Sequence, residues 1–239
     1  HLSLRRQRQM CIRDSCYGME HWQAVKRIFR YLKGTMNLGL KFSSTDHSGE
    51  FLDRFESLKD LQNFKSTVYR CKNLRTIKDP DILMATGFAD SNLARCIDTR
   101  RSQTGFLYFL GSCLISWQSK QQTSVALSSM EAENMSACAA TQEALWLSRL
   151  LKEFGCKFSG PVTILEDNQA CIYYSRNPGD HQRTKHIDQK YHFVREQVEV
   201  GNVMLRKIKT TDNLADLFTK PLNKREFFNL IQHFMHFVD

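Results

Sequence analysis

The amino-acid sequence predicts an α/β fold, a mixed five-stranded sheet flanked by helices. Five apolar runs of strand length lie between residues 82 and 209. Two of them flank a Gly111-Ser112-Cys113 turn signal and read as a hairpin. The others are separated by segments whose apolar residues recur at helical spacing, so strands and helices alternate.

In chain order, "EHWQAVKRIFRYLKGT" places Trp22, Val25, Ile28, Phe29 and Leu32 at helical spacing, with a basic face and Gly34 as a stop signal. Ile82 to Ala89 reads as a strand ending at Asp90. "TGFLYFL" and "LISWQS" are the hairpin strands. Ser128 to Phe154 is a long helix, Val162 to Leu165 a buried strand, and Asn168 to Arg176 a short helix. In "TKHIDQKYHFVREQV", Ile187, Tyr191, Val194 and Val198 fall on one stripe. "VMLRKIK" is a strand, "TDNLADLFTK" a helix stopped by Pro221, and a last helix covers 224–237.

The flank before these patterns is different. Residues 46–80 are polar and irregular and read as a linker or insertion. Residues 1–16 have no convincing period, and "RQMCIRDS" resembles translated sequencing-adapter sequence, so a non-native tail is expected there. The folded domain is expected over 81–239.

Composition narrows the function classes. The chain has 239 residues, 41% of them hydrophobic, enough for a core. No run is long enough to span a membrane, and no charged-then-apolar leader opens the chain. None of the eight cysteines forms a CxxC pair or has zinc-ligand spacing, so scattered thiols of a reducing compartment are expected. The net charge is +9, but residues 1–80 carry 16 Lys and Arg against 8 Asp and Glu, while residues 81–170 carry 7 against 9. The basicity therefore lies mostly outside the best-patterned region, and pI alone does not establish a nucleic-acid partner.

Certain acids are not explained by local structure. "VTILEDNQACIYY" sets Glu166 and Asp167 at the tip of an apolar strand. The long helix opens with Glu131 and Glu133. Ser128-x-x-Glu131 fits a capping box, which gives Glu131 a structural role. Glu133 shares a stripe with Ala137, Ala140, Ala144, Leu147 and Leu151, so it belongs at the edge of the buried face. A lone carboxylate there costs several kcal/mol unless a cation pairs with it. Asp90 ends a strand, and Asp216 lies in the helix after the last strand. Singly, each of these reads as a turn or solvated acid. Together they are carboxylates on elements able to converge, and oxygen ligands suit hard divalent cations.

The segments "GFADSNLA", "ALSSMEAENMSA", "ILEDNQACIYYSRNP", "RTKHIDQKYHFVREQV" and "DNLADLFTKPL" resemble, in order, the ribonuclease H domain of copia-type LTR retrotransposon Pol polyproteins. "EHWQAVKRIFRYLKGT" resembles the end of the preceding reverse transcriptase region, so residues 17–45 read as its C-terminal remnant. The resemblance implies a ribonuclease H-like fold with catalytic, metal-holding carboxylates at Asp90, Glu133, Asp167 and Asp216. It implies two Mg²⁺ ions, with Mn²⁺ as a substitute, and cleavage of the RNA strand of an RNA–DNA hybrid during reverse transcription. The implied partners are the hybrid and the remainder of the polyprotein, with no membrane. The implied location is intracellular, in a cytoplasmic virus-like particle. The chain departs from the family pattern at Asn92 and Leu93, where an acid and a tryptophan are usual, and at Met130 and Asn134, where threonine and tyrosine are usual. These departures keep two alternatives open: a catalytically decayed nucleic-acid-binding or connection module, and a DNA-directed nuclease of the same fold.

Arg183, Lys185, Lys190 and Arg195 lie outside the apolar stripe of their helix and are candidates for gripping phosphates, against the plain alternative of a solvated face. The His186/His192 and His233/His236 pairs read as ordinary surface histidines. No Walker-type loop or nucleophile elbow appears.

Overall fold

The computed structural model describes residues 18–42, 82–83, 85–158, 160–177 and 185–238, with backbone alone at 82–83, 157–158 and 185–188. The expected tail (1–16) and linker (46–80) lie outside the described residues. The described residues fall into two compact units, one holding residues 18–39 and 236–238, the other the described residues from Leu40 to Met235.

In the first unit, helix α1 (Met19–Gly34) covers the expected segment. The Val238 N–H donates to the Asn37 carbonyl at 2.6 Å.

The second unit is built on the expected five-stranded mixed sheet. Its strands follow β1 (Leu38–Leu40) and β2 (Ile82–Leu83) along the chain. The central strand is β3 (Ala85–Asn92), which runs two residues beyond Asp90. On one side it pairs antiparallel with β4 (Gln103–Leu110), which pairs antiparallel with β5 (Cys113–Gln121). A short turn suffices for that hairpin, and Gly111 makes it at φ 63°. On its other side β3 pairs parallel with β7 (Val162–Glu166), which pairs parallel with β8 (Val203–Lys207). Parallel pairs need crossovers, and helices supply them. Helix α2 (Ser129–Glu153) precedes β7; helices α3 (Gln169–Tyr174) and α4 (Lys185–Glu199) connect β7 to β8. Strand β6 (Lys157–Phe158) pairs parallel with β2.

Small residues bring α2 close to the sheet. Ala137, Ala140 and Ala144 are fully buried against Ala89, Phe106, Tyr108 and Ile164. That approach lets the Tyr108 hydroxyl donate to the Ala140 carbonyl at 2.6 Å. In α4, Tyr191 and Val194 of the expected stripe are buried. Among the described residues no helix is long and apolar enough to cross a membrane.

Two helices differ from expectation. The segment 211–220 is not one helix. A 3-10 turn (Thr210–Asp212) is followed by the short helix α5 (Asp216–Thr219). Asn213 separates them because its side chain competes with helical hydrogen bonding. Its amide donates to the Ala89 carbonyl at 2.9 Å, and its oxygen accepts from the Ala215 N–H at 3.1 Å. The last helix, α6 (Lys224–Ile231), starts on an Asn223–Glu226 capping box and stops six residues before Phe237. Leaving the helix sets Phe234 edge-on to Phe109, with ring centroids 5.7 Å apart, before β9 (Met235–Phe237).

Candidate metal centre

Three of the four predicted carboxylates meet at one end of the sheet. Asp90, Glu133 and Asp167 each place an oxygen so that all three lie within 4.8 Å of one another. Asp90 comes from the central strand and Asp167 follows β7, the parallel neighbour of β3. Glu133 comes from the first turns of α2. The Ser136 hydroxyl, one turn along the same helix, donates to the Asp90 carbonyl at 2.6 Å.

The geometry separates the two acids of α2. The Ser128 side chain accepts from the Glu131 N–H at 3.2 Å, and Glu131 Oε2 accepts from the Leu127 N–H at 2.8 Å. The cap is reciprocal, but the glutamate reaches one residue further upstream than a capping box with Ser128 requires. Glu133 is only 7% exposed, and its Oε2 is buried without a hydrogen-bond partner.

The fourth carboxylate, Asp216, is outside that set of three but close enough to Asp90 to raise its pKa. Asp216 opens α5, and Lys220 joins it to Asp90. Lys220 Nζ lies 2.6 Å from Asp216 Oδ1 and 3.1 Å from Asp90 Oδ1. The Thr219 hydroxyl donates to Asp90 Oδ2. Gly105 makes room for α5 on the sheet. It is the antiparallel partner of Asp90, and a Cβ there would lie 2.6 Å from Thr219 Cγ2 and 2.9 Å from Phe218 Cβ.

The electrostatics follow from burial. Burial, and then the charges of Asp90 and Asp167, push Glu133 up to about 9. Burial, and then Asp216, push Asp90 up to about 7, although Lys220 and Thr219 oppose the shift. Burial also raises Asp216, against the pull of Lys220. For Lys220, burial disfavours the ammonium, but the two aspartates outweigh it and its pKa rises. These acids are held close at a cost that a cation relieves. Three converging carboxylate oxygens, on residues that include a glutamate with a buried, unpartnered oxygen, are a donor set suited to a hard divalent ion.

Glu166, which the sequence marks only as a neighbour of Asp167, is fully buried. Its Oε1 accepts from the Asn168 N–H at 3.1 Å, and its Oε2 has no hydrogen-bond partner. Burial, and then Glu133, hold its pKa well above the ordinary carboxylate range.

The predicted phosphate contacts fare differently. Arg183 lies outside the described residues, and the Lys185 side chain is not described. Arg195 is buried at 6% exposure, and its guanidinium donates to His192 Nδ1 at 2.8 Å, so it is not the exposed cation that the helical stripe implied. Lys190 lines a cavity of about 310 Å³ with Lys120, Gln118, Gln142 and Thr104. Thr104 pairs with Ser91, the residue after Asp90.

The departures from the family pattern also have places. The Asn92 amide donates to the Thr219 carbonyl at 3.1 Å, and Arg95 donates to the same oxygen at 2.7 Å, so both cap the end of α5. Asn134 is 1% exposed, and neither atom of its amide has a hydrogen-bond partner.

Sequence reasoning missed Gly105, Ser136, Asn213, Thr219 and Lys220. A lysine two residues after a short apolar pair, directly before Pro221, is the one local signal among them. Proline disfavours helical geometry in the preceding residue, and Lys220 is indeed extended at φ −116°, ψ 144°.

Comparison with known proteins gives consistent relatives. The chain is 36% identical over 210 residues to the retrovirus-related Pol polyprotein of transposon TNT 1-94 from Nicotiana tabacum, covering 88% of this chain and 13% of the relative. It is 35% identical over 210 residues to that of transposon RE2 from Arabidopsis thaliana, covering 88% of this chain and 12% of the relative. The chain thus spans about an eighth of the length of these relatives. Among solved structures, the N-terminal RNase H domain of a Mycobacterium tuberculosis protein, fused to maltose-binding protein, aligns with TM-score 0.44 and 10% identity. That alignment covers 63% of this chain and 97% of the other. No family model matches the chain.

Proposed function

We propose, from the premise that the chain is a relative of one segment of the copia-type retrotransposon Pol polyproteins and has a ribonuclease H-like fold, that it is a divalent-metal-dependent endonuclease cutting the RNA strand of RNA–DNA hybrids. One observation carries the reading: Asp90, Glu133 and Asp167 each bring a carboxylate oxygen within 4.8 Å of the others. These three would hold a divalent ion, Mg²⁺ or Mn²⁺, and Asp216 would complete the set for a second.

Such ions, when bound, stabilise charge on phosphodiester oxygens and lower the pKa of water. The chain's own residues do the positioning. Ser136 fastens Glu133's helix to the strand of Asp90. Asn213 fastens the entry to α5 to the residue before Asp90. Lys190 and Lys120, which line one cavity with Thr104, would hold backbone phosphates of the bound hybrid. RNA selectivity would come from contacts to 2′-hydroxyls, which DNA lacks. In this reading the domain works beside the reverse transcriptase of the same polyprotein and removes its RNA template.

A second reading is a decayed copy that binds hybrid without cutting it. Asn134, buried in the metal-bearing helix with an unsatisfied amide, favours it. The test is cleavage of an end-labelled RNA–DNA hybrid by the full chain, with Mg²⁺ and with EDTA, beside a duplex DNA of the same sequence. Mg²⁺-dependent cutting of the RNA strand alone supports the first reading. Hybrid binding without cutting supports the second. Cutting of the DNA duplex in preference to the hybrid makes the chain a DNA-directed nuclease.

A further inference from the structure

A protein cation already sits beside the carboxylate trio. The Lys220 ammonium bridges Asp90 Oδ1 at 3.1 Å and Asp216 Oδ1 at 2.6 Å. These are the two carboxylates that a second ion would share, since Asp216 is not among the three oxygens that converge.

We propose that Lys220 is a built-in counter-cation holding the position between Asp90 and Asp216, so that the resting centre takes one divalent ion, on Asp90, Glu133 and Asp167, and a second only when Lys220 withdraws. The inference rests on reading the carboxylates as a divalent-ion site. Glu133 Oε2 supports that reading independently of the lysine, because it is buried, unpartnered, and on a residue only 7% exposed.

The local chain explains how the lysine arrives. Helix α5 ends at Thr219, and the Lys220 N–H still closes on the Asp216 carbonyl at 2.9 Å. Pro221 then forces Lys220 out of helical geometry. The side chain lies over Asp216, four residues back and one helical turn away. Its route out is open as well: the Lys220 side chain is 30% exposed, whereas that of Asp90 is 1% exposed. A lysine ammonium is a compact charge on a flexible stem, able to leave without moving the backbone. A divalent ion and this ammonium cannot share one position, so they compete for it.

The test is calorimetric titration of the full 239-residue chain with Mn²⁺, without nucleic acid, for the parent, Lys220→Met and Lys220→Arg. The parent should bind one ion well and a second weakly. Lys220→Met should bind the second ion about tenfold tighter or more, because a unit charge a few ångströms away is felt at several times thermal energy. Lys220→Arg keeps the charge and should titrate like the parent. Removing the ammonium leaves Asp90 and Asp216 facing each other, so melting is followed in parallel. Lys220→Met should melt lower without metal and gain more from Mn²⁺ than the parent. Lys220→Gln, neutral yet able to donate a hydrogen bond, serves if Lys220→Met does not fold, and should show the same tighter second ion. If the neutral variants match the parent in number and affinity of ions, Lys220 does not compete and the inference is overturned while the ion site stands. If the parent binds no ion, the reading of the carboxylates falls, and the inference with it.

Discussion

The Ser136 hydroxyl donates a 2.6 Å hydrogen bond to the Asp90 carbonyl and lies 3.3 Å from the Gly105 carbonyl. This one side chain ties α2 to β3, which carries Asp90, and to β4, its antiparallel neighbour, one turn from Glu133. Ser136→Ala should cost about 1 kcal/mol of stability, the usual net value of such a bond. It should also weaken Mg²⁺ binding, because Glu133 is no longer held against Asp90. Melting curves with and without Mg²⁺ measure both effects, and an unchanged Mg²⁺-induced shift would assign Ser136 to packing alone.

Gly105 is the close approach that admits α5. Gly105→Ala would set a methyl 2.6 Å from Thr219 Cγ2, so the helix carrying Asp216 and leading to Lys220 must shift. Overpacking of this kind costs about 1–3 kcal/mol. Activity should fall further than stability explains, since a displaced α5 no longer brings Asp216 and Lys220 to Asp90. Urea unfolding beside hybrid cleavage at saturating Mg²⁺ separates the two.

Asn134 is a buried amide with no partner. Replacing it by leucine removes an unsatisfied polar group of about 1–3 kcal/mol. Asn134→Leu should therefore raise the melting temperature. A lower melting temperature would mean that the amide is satisfied in solution.

The pH dependence follows from the raised carboxylates. Asp90 rises from 3.8 to about 7, and Glu133 from 4.5 to about 9. Between the ordinary and the raised value the folded state binds more protons than the unfolded chain, so stability falls as pH rises. The metal-free protein should thus lose stability from about pH 4 to 9 at these two groups. Mg²⁺ competes with those protons, so its stabilising effect should grow across the same range. Melting in EDTA and in Mg²⁺ at pH 5, 7 and 9 checks the sign; a metal-free protein most stable at pH 9 would contradict it.

Much of the site was legible because periodicity reports burial. The stripe through Ala137, Ala140 and Ala144 singles out Glu133 from the sequence alone, and all four residues are buried. Asp167 was legible as an acid at a strand tip, and Asp90 as one near a strand end, although β3 runs two residues past it. The place of Asp216 outside the trio was not legible, because it depends on how α5 packs against Gly105, a contact distant in sequence. Nor was Arg195 legible as a buried cation: a helical stripe tells which residues face the sheet, not which long side chains fold back onto a neighbour such as His192. The break in the 211–220 helix escaped for a similar reason. Asn213 is ordinary in sequence, and its partner, the Ala89 carbonyl, lies 124 residues away.

The central claim is that Glu133, and not Glu131, belongs to a catalytic metal centre. Glu131 closes the end of α2 through the Leu127 N–H, whereas Glu133 offers an oxygen to the trio. Hybrid cleavage in Mg²⁺ by the parent, Glu131→Ala and Glu133→Gln tests this most directly, with melting measured on the same preparations. Glu131→Ala should lose about 0.5–1 kcal/mol of stability and keep its cleavage rate. Glu133→Gln should match or exceed the parent's metal-free stability, because a neutral amide can be buried without the proton uptake that the glutamate needs, while cleavage falls by orders of magnitude. A folded Glu133→Gln protein that cleaves at the parent rate, or a folded Glu131→Ala protein that does not cleave while the parent does, would contradict the account.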